Sequence, residues 1–212
     1  VVPMDPRCTP SQNAQRYYKK YQKGKAAMEM AKKQREETQK ELDYLEGQLD
    51  NLDKCTTDLE LMELGDELYQ QGYIRRSKAE AKKQSPRQAS KPMRFISSDG
   101  AEIYVGKNNR QNDYLTLKLA EPEDTWLHTK EIPGSHVIIK SPAPSKATLY
   151  EAALLAAYYS KARGGQNVPV DFTLKKHVKK PSGARPGMVI YTTNRTAYVT
   201  PEESEVKTIV QK

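Results

Sequence analysis

Residues 125–140 read Thr-Trp-Leu-His-Thr-Lys-Glu-Ile-Pro-Gly-Ser-His-Val-Ile-Ile-Lys. They hold the only tryptophan of the chain and two of its three histidines. Side chains alternate between the faces of a strand. Trp126, His128 and Lys130 therefore share one face, and His136, Ile138 and Lys140 share a face of the partner strand across the Pro133-Gly134 turn. Leu127, Val137 and Ile139 point the other way, into a core. Such a hairpin is apolar on one side and equipped on the other, with His128 opposite His136. A metal site would need a third ligand at a telling spacing, and none stands there. A nucleophile–base pair of Ser135 and His136 fails because strand neighbours point to opposite faces and no acidic residue orients the imidazole. Recognition fits better. An exposed indole stacks on a base, Lys130 and the histidines supply charge-assisted contacts, and Gly134 lets a backbone or phosphate approach closely. The competing reading makes Trp126 the anchor of a small core.

Two further groups bear on the same chemistry. Lys107, Asn108, Asn109, Arg110, Gln111, Asn112 and Asp113 lead from a strand through Gly106 into a helix start. Free backbone N–H groups there favour anions, and Lys107 and Arg110 add to that field. The same asparagines equally serve as caps. Lys175, Lys176, His177, Lys179, Lys180 and Arg185 precede a Gly/Pro loop. They suit either a polyanion or a solvated strand edge, where lysine blocks edge-to-edge pairing.

The elements that must position these residues follow from pattern. Arg94–Ile96 and Ile103–Val105 alternate around a Ser-Asp-Gly turn, a hairpin signal. Residues 107–119 read as a helix with Leu115 and Leu119 on one face, against a strand reading from alternating Leu115, Leu117 and Leu119. The 125–140 hairpin has strands near 124–129 and 136–140. Ser145 caps an Ala-rich helix stopped by Gly164-Gly165. Three more strands lie within 168–178, 187–193 and 196–200. The expectation is an α+β domain over 93–212, a small mixed sheet with packed helices.

Ahead of it, Thr9-Pro10-Ser11-Gln12 and Thr57-Asp58-Leu59-Glu60 are capping boxes. They open helices of about 10–53 and 58–72 within a helical region 1–74. Leu42, Leu45, Leu49 and Leu52 continue a heptad-like seam, which predicts an antiparallel coiled-coil hairpin or helix-mediated self-association. Residues 75–92 form a basic, Pro- and Ser-containing linker with Glu80 as its single acid.

Composition agrees with a binding role. The 212 residues are 29% charged and 36% hydrophobic, with a formal net charge of +8 and a pI of about 9.3, which favours a polyanionic partner. No apolar run reaches the roughly 18 residues of a membrane span. A 43-residue rod of about 65 Å separates Cys8 from Cys55, too far for a disulfide. Reduced thiols suit the cytoplasm. The chain starts Val1-Val2-Pro3 without an initiator methionine, as a piece of a longer protein would.

The segments "GAEIYVGKNNRQNDYLTLKLA", "WLHTKEIPGSHVII" and "VKKPSGARPGMVIYT" together resemble the NFACT-R domain. "MDPRCTPSQNAQRYYKKYQKGK" and "ETQKELDYLEGQL" resemble the coiled-coil region that precedes it in RqcH/FbpA-type NFACT proteins, the fibronectin/fibrinogen-binding protein family. The resemblance covers nearly the whole chain. It implies RNA binding, with tRNA and the large ribosomal subunit as partners in cytoplasmic ribosome quality control. In that process alanine is added to stalled nascent chains. It also implies the alternative of a cell-surface adhesin for fibronectin or fibrinogen. The residues tied to tailing belong to a family region outside this sequence. The chain is therefore expected to have no enzyme activity, cofactor or metal of its own, and its RNA face is expected over 107–113 and the Trp126–His136 hairpin.

Overall fold

The computed structural model describes residues 2–75 and 89–211. The chain divides into two compact units, one ending at Leu45 and one beginning at Glu46. Most of the basic linker lies outside the described residues.

The first unit is built on helix α1, Pro10–Lys54. Its capping box forms as the sequence predicts. The Thr9 N–H donates to Gln12 Oε1 (2.8 Å), and the Gln12 N–H donates to Thr9 Oγ1 (3.2 Å). Buried Asn13 ties the preceding turn down through both backbone groups of Asp5. Along the rod Tyr18, Tyr21, Met28 and Met30 are exposed.

The second unit opens with the last turns of α1 and with α2, Asp58–Gln70, whose Thr57–Glu60 capping box is complete. The leucine seam is not what joins these helices. Leu49 and Leu52 are 64% and 45% exposed, and Leu42 in the first unit is 47% exposed. The buried residues of α1 here are Gln48 and Asn51, and those of α2 are Glu60, Glu63, Leu64 and Glu67. Gln48 Nε2 donates to Glu67 Oε1 at 2.5 Å. The reason lies in α2. A 13-residue helix has one stripe to bury, and here that stripe is rich in carboxylates, so α1 meets it with amides.

The sheet follows, with β1 Met93–Ile96, β2 Glu102–Val105, β3 Thr125–Thr129, β4 Val137–Ile139, β5 Val168–Leu174, β8 Arg195–Val199 and β9 Val210–Gln211. Its order is β8-β5-β3-β4-β2-β1-β9, and every pairing is antiparallel. This corrects the expected mixed sheet. The long connection after β4 returns the chain to the far side of β3, so β4 and β5 both run opposite to it. The two-residue β9 is too short to announce itself by pattern. Strands β6 Val178–Lys179 and β7 Ile190–Tyr191 form a separate ribbon.

Both faces of the sheet are covered. Helix α4, Lys146–Tyr158, lays Ala152, Ala153, Leu155 and Ala156 on Phe95, Ile103, Val105, Leu127, Val137 and Ile139. On the other face Trp126 and Ile138 pack with Leu115, Ala120 and Val178, flanked by Leu119, Val189 and Tyr191. The cover here is α3, Asn109–Tyr114, continued by one π-helical turn, Leu115–Leu119, and beside it the β6–β7 ribbon. The helical reading of 107–119 holds. Leu115 and Leu119 face the cluster and Leu117 is 38% exposed. A four-residue helix α5, Glu203–Val206, precedes β9.

The polar interface between α1 and α2 makes a clear prediction. Leu64→Ala should cost about 2–5 kcal/mol, as for other buried leucines, whereas Leu49→Ala should stay within about 0.5 kcal/mol. Urea unfolding of the two variants checks this, and equal losses would restore the leucine seam.

Candidate nucleic-acid interface

The hairpin converges as its alternation predicts, but beneath a cover. The His128 and His136 rings lie 5.4 Å apart, and Trp126 stacks on His128 at 5.8 Å and meets His136 edge-on at 5.2 Å. Trp126 is fully buried and His136 is 2% exposed. The indole therefore offers no face to a base, which corrects the stacking role expected of it. A small domain with two covered sheet faces buries its largest ring under the second cover, against Tyr191 at 4.9 Å. The indole N–H donates to Thr116 Oγ1 (3.2 Å), and Thr116 Oγ1 lies 2.7 Å from His136 Nδ1. Thr116 Oγ1 accepts from the indole and can donate its one hydroxyl hydrogen bond to Nδ1 of a neutral imidazole. Neutrality is enforced: burial pushes His136 well below its ordinary pKa, with His128 adding to the effect. Burial likewise lowers His128 to about 4.

Gly134 and Ser135 are structural as well. A side chain at Gly134 would collide with Ser160 Cβ at 2.7 Å and Thr129 Oγ1 at 2.8 Å, so glycine is needed for chain packing. Ser135 is 1% exposed, and both its N–H and hydroxyl donate to the Tyr159 carbonyl at 3.1 Å. Lys54, from the end of α1, donates to the same carbonyl at 2.5 Å and pairs with Asp50. Burial pulls its pKa down, and Asp50 opposes that shift.

Residues 107–113 do bind anions, but the anions belong to α2. Lys107 Nζ pairs with Glu60 at 2.5 Å, Asn108 Nδ2 donates to Glu63 at 3.1 Å, Asn109 Nδ2 donates to Glu67 at 2.8 Å, and Arg110 lies 3.7 Å from Asp66. Burial disfavours the Glu60 charge, yet hydrogen bonds from Lys107 and the Thr56 N–H outweigh it and hold the carboxyl below its ordinary value. The remaining members are anchors. Asn108 caps α3 by accepting from the Gln111 N–H. Gln111 bonds Ser90 (2.6 Å) and the Lys107 N–H (2.9 Å). Asn112 accepts from the His136 N–H at 2.9 Å, and a side chain at Gly106 would occupy the place of its amide oxygen. Asp113 accepts from the Gly187 N–H at 3.1 Å and pairs with Lys180. As an open phosphate site this segment is corrected at Lys107, Asn108, Asn109, Gln111, Asn112 and Asp113, whose polar groups are engaged inside the fold, while Arg110 stays half-exposed beside Asp66.

Of the basic residues named from sequence, Lys176 is paired with Glu123. Lys130 and Lys179 are exposed and Lys175 is half-buried, and none of the three has a carboxylate partner among the described residues. Lys118, exposed and equally unpaired, escaped the sequence reading. Its signal was weak, because three residues after Leu115 is a spacing that reads as the leucine's own helix face. Cys8 and Cys55 are free thiols. Among the described residues no group of three His, Cys, Asp or Glu side chains could hold a metal, and no helix is long and apolar enough to cross a membrane.

Comparison with known proteins adds to this geometry. Residues 1–87 match the family described as NFACT N-terminal and middle domains, and residues 91–192 match the NFACT protein RNA binding domain. The Rqc2 homolog RqcH of Bacillus subtilis (strain 168) is 42% identical over 206 residues, covering 97% of this chain and 36% of that protein. The Rqc2 homolog RqcH of Streptococcus suis (strain 05ZYH33) is 44% identical over 210 residues, covering 98% of this chain and 37% of that protein. The chain thus spans little more than a third of these relatives. The solved C-terminal part of the fibronectin/fibrinogen-binding protein from Streptococcus suis superposes with a TM-score of 0.79 at 42% identity, over 96% of this chain and 81% of that one.

Two outcomes are expected. Lys107→Ala leaves buried Glu60 without its ammonium and should cost about 1.5–3 kcal/mol of stability, while RNA affinity of the folded protein stays unchanged. Melts and RNA titrations of the variant check this, and a selective loss of affinity would return Lys107 to the interface. The second concerns pH. His128 and His136 have folded pKa values below the unfolded 6.5, so the unfolded chain binds protons first. The His128 contribution is complete above about pH 6.5 and falls as the pH drops toward about 4, by up to about 1.4 kcal/mol per pH unit, and His136 adds a loss of the same sign. Urea unfolding between pH 7 and 5 should show this slope, and a His128→Gln/His136→Gln variant should flatten it.

Proposed function

We propose, from the premise that this chain belongs to the NFACT protein family, that its sheet-bearing unit is an RNA-binding module without catalysis of its own. The observation that carries this reading is the partition of its cations. Lys107 and Lys180 are held by carboxylates within the fold, Arg110 lies beside Asp66 and Lys176 makes a solvent-exposed pair with Glu123, whereas Lys118, Lys130, Lys175 and Lys179 have no carboxylate partner among the described residues and are left for an outside anion. The matched RNA-binding family supports the same assignment. In the longer protein the module would hold tRNA and the large ribosomal subunit in the cytoplasm, in ribosome quality control with alanine tailing. A second reading is favoured by the likeness to the Streptococcus suis fibronectin/fibrinogen-binding protein. In it the same basic surface meets acidic patches of fibronectin or fibrinogen.

A salt series separates the two. Each phosphate contact contributes about −0.9 to the slope of log K against log salt for duplex and about −0.7 for single strands. With three of the open lysines engaged, tRNA binding should show a slope of about −2 to −3. Lys175→Ala/Lys179→Ala should flatten it by about one to two contacts. Binding to tRNA no better than that of an unrelated protein of equal charge, beside tight fibronectin binding, would overturn the RNA reading.

A further inference from the structure

The two elements that cover Trp126 carry an outer surface that is left exposed among the described residues. In the β6–β7 ribbon Val178 pairs with Tyr191, and both turn inward to the tryptophan. Alternation then turns the next pair, Lys179 and Ile190, outward. Ile190 is 59% exposed and neighbouring Met188 is 48% exposed. On α3 and its π-helical turn, Leu115 and Thr116 are buried, while Tyr114 is 48% exposed, Leu117 is 38% exposed and Lys118 is exposed. Asp113 couples the two elements through the Gly187 N–H and Lys180. Leu119 and Val189 add to that coupling by packing on the same inner cluster. Tyr114, Leu117 and Lys118 on one cover and Lys179, Met188 and Ile190 on the other are thus turned to solvent, apolar and cationic together, on covers that Asp113 ties to each other.

We infer that this surface is a platform for unpaired nucleotides of RNA, with Tyr114 stacking one base and Lys118 and Lys179 meeting the flanking phosphates. The inference rests on the RNA-binding reading above and names the class of RNA. An A-form duplex hides its base faces in its own stack and is read through phosphates and 2′-hydroxyls, so it gives an exposed phenol ring and three aliphatic side chains nothing to cover. Unpaired bases present that face and bring their phosphates with them. A protein partner that covered the apolar residues would desolvate two ammonium groups that have no carboxylate partner among the described residues. A single-stranded polyanion neutralises them instead. One residue thereby takes the stacking role that the buried tryptophan cannot fill.

The test uses the whole chain and two probes: a fluorescein-labelled 12-nucleotide single-stranded RNA and the blunt duplex of the same sequence, followed by anisotropy at fixed salt. Tyr114→Ala should weaken single-strand binding about 10-fold or more, the scale of one lost stacked base. It should leave duplex binding within about 2-fold, because phosphate contacts alone hold the duplex. Tyr114→Phe should bind as the parent chain does, since stacking needs the ring and not the hydroxyl. Melts of both variants confirm that they are folded. Equal losses for both probes, no loss for either, or a Tyr114→Phe defect as large as that of Tyr114→Ala overturns the platform while leaving general RNA binding in place. If the parent chain binds neither probe, the RNA-binding reading fails and the platform falls with it.

Discussion

The constraint on which the second unit depends is the burial of carboxylates on α2. Glu60, Glu63 and Glu67 are each under a tenth exposed, and a buried carboxylate is tolerable only when its oxygens are fully bonded. That requirement explains several features at once. It recruits Gln48 from α1, Lys107, Asn108 and Asn109 from the start of α3, and the Ser90 backbone at the head of the sheet segment. It also explains why the α1–α2 contact is polar and why Leu49 and Leu52 face solvent. The capping box belongs to the same system, because Glu60 serves the Thr56 and Thr57 N–H groups with one oxygen and Lys107 with the other.

From that docking the rest of the covered face follows. Holding the start of α3 positions Asn112 against the His136 backbone and Thr116 against the indole and imidazole. Asp113, one residue beyond Asn112, anchors the loop of the β6–β7 ribbon. Trp126 and His136 are thus closed beneath a cover built from two short elements, neither of which could fold alone, with His128 and Tyr191 half-buried at its edge. The neutral histidines are a consequence of that closure and link stability to pH, while the chemistry directed at a partner has moved to the outside of the cover.

How legible the site was depends on the kind of information each residue carries. Alternation placed Trp126 with His128 and opposite His136 correctly, because strand geometry is local. Whether that face met solvent was not local. It depended on Val178, Val189 and Tyr191, more than fifty residues away, folding over it. Lys107 and Arg110 read as phosphate ligands because their carboxylate partners, Glu60 and Asp66, lie far back in the sequence on another helix. Tyr114 and Lys118 drew no notice because, in sequence, an exposed tyrosine beside buried leucines looks like ordinary amphipathic filler.

The sequence by itself determined the two capping boxes, both long helices, the hairpins, the Ala-rich helix and the family resemblance. Each of these is written in contiguous residues whose backbone preferences do not depend on distant neighbours. Only the tertiary structure decided the antiparallel order of the sheet, the exposure of Leu42, Leu49 and Leu52, the burial of Trp126 and which cations meet a carboxylate of the fold. Those are decided by which surfaces meet. Burial and charge pairing are properties of a pair of surfaces, and one strand or helix read alone holds only half of each.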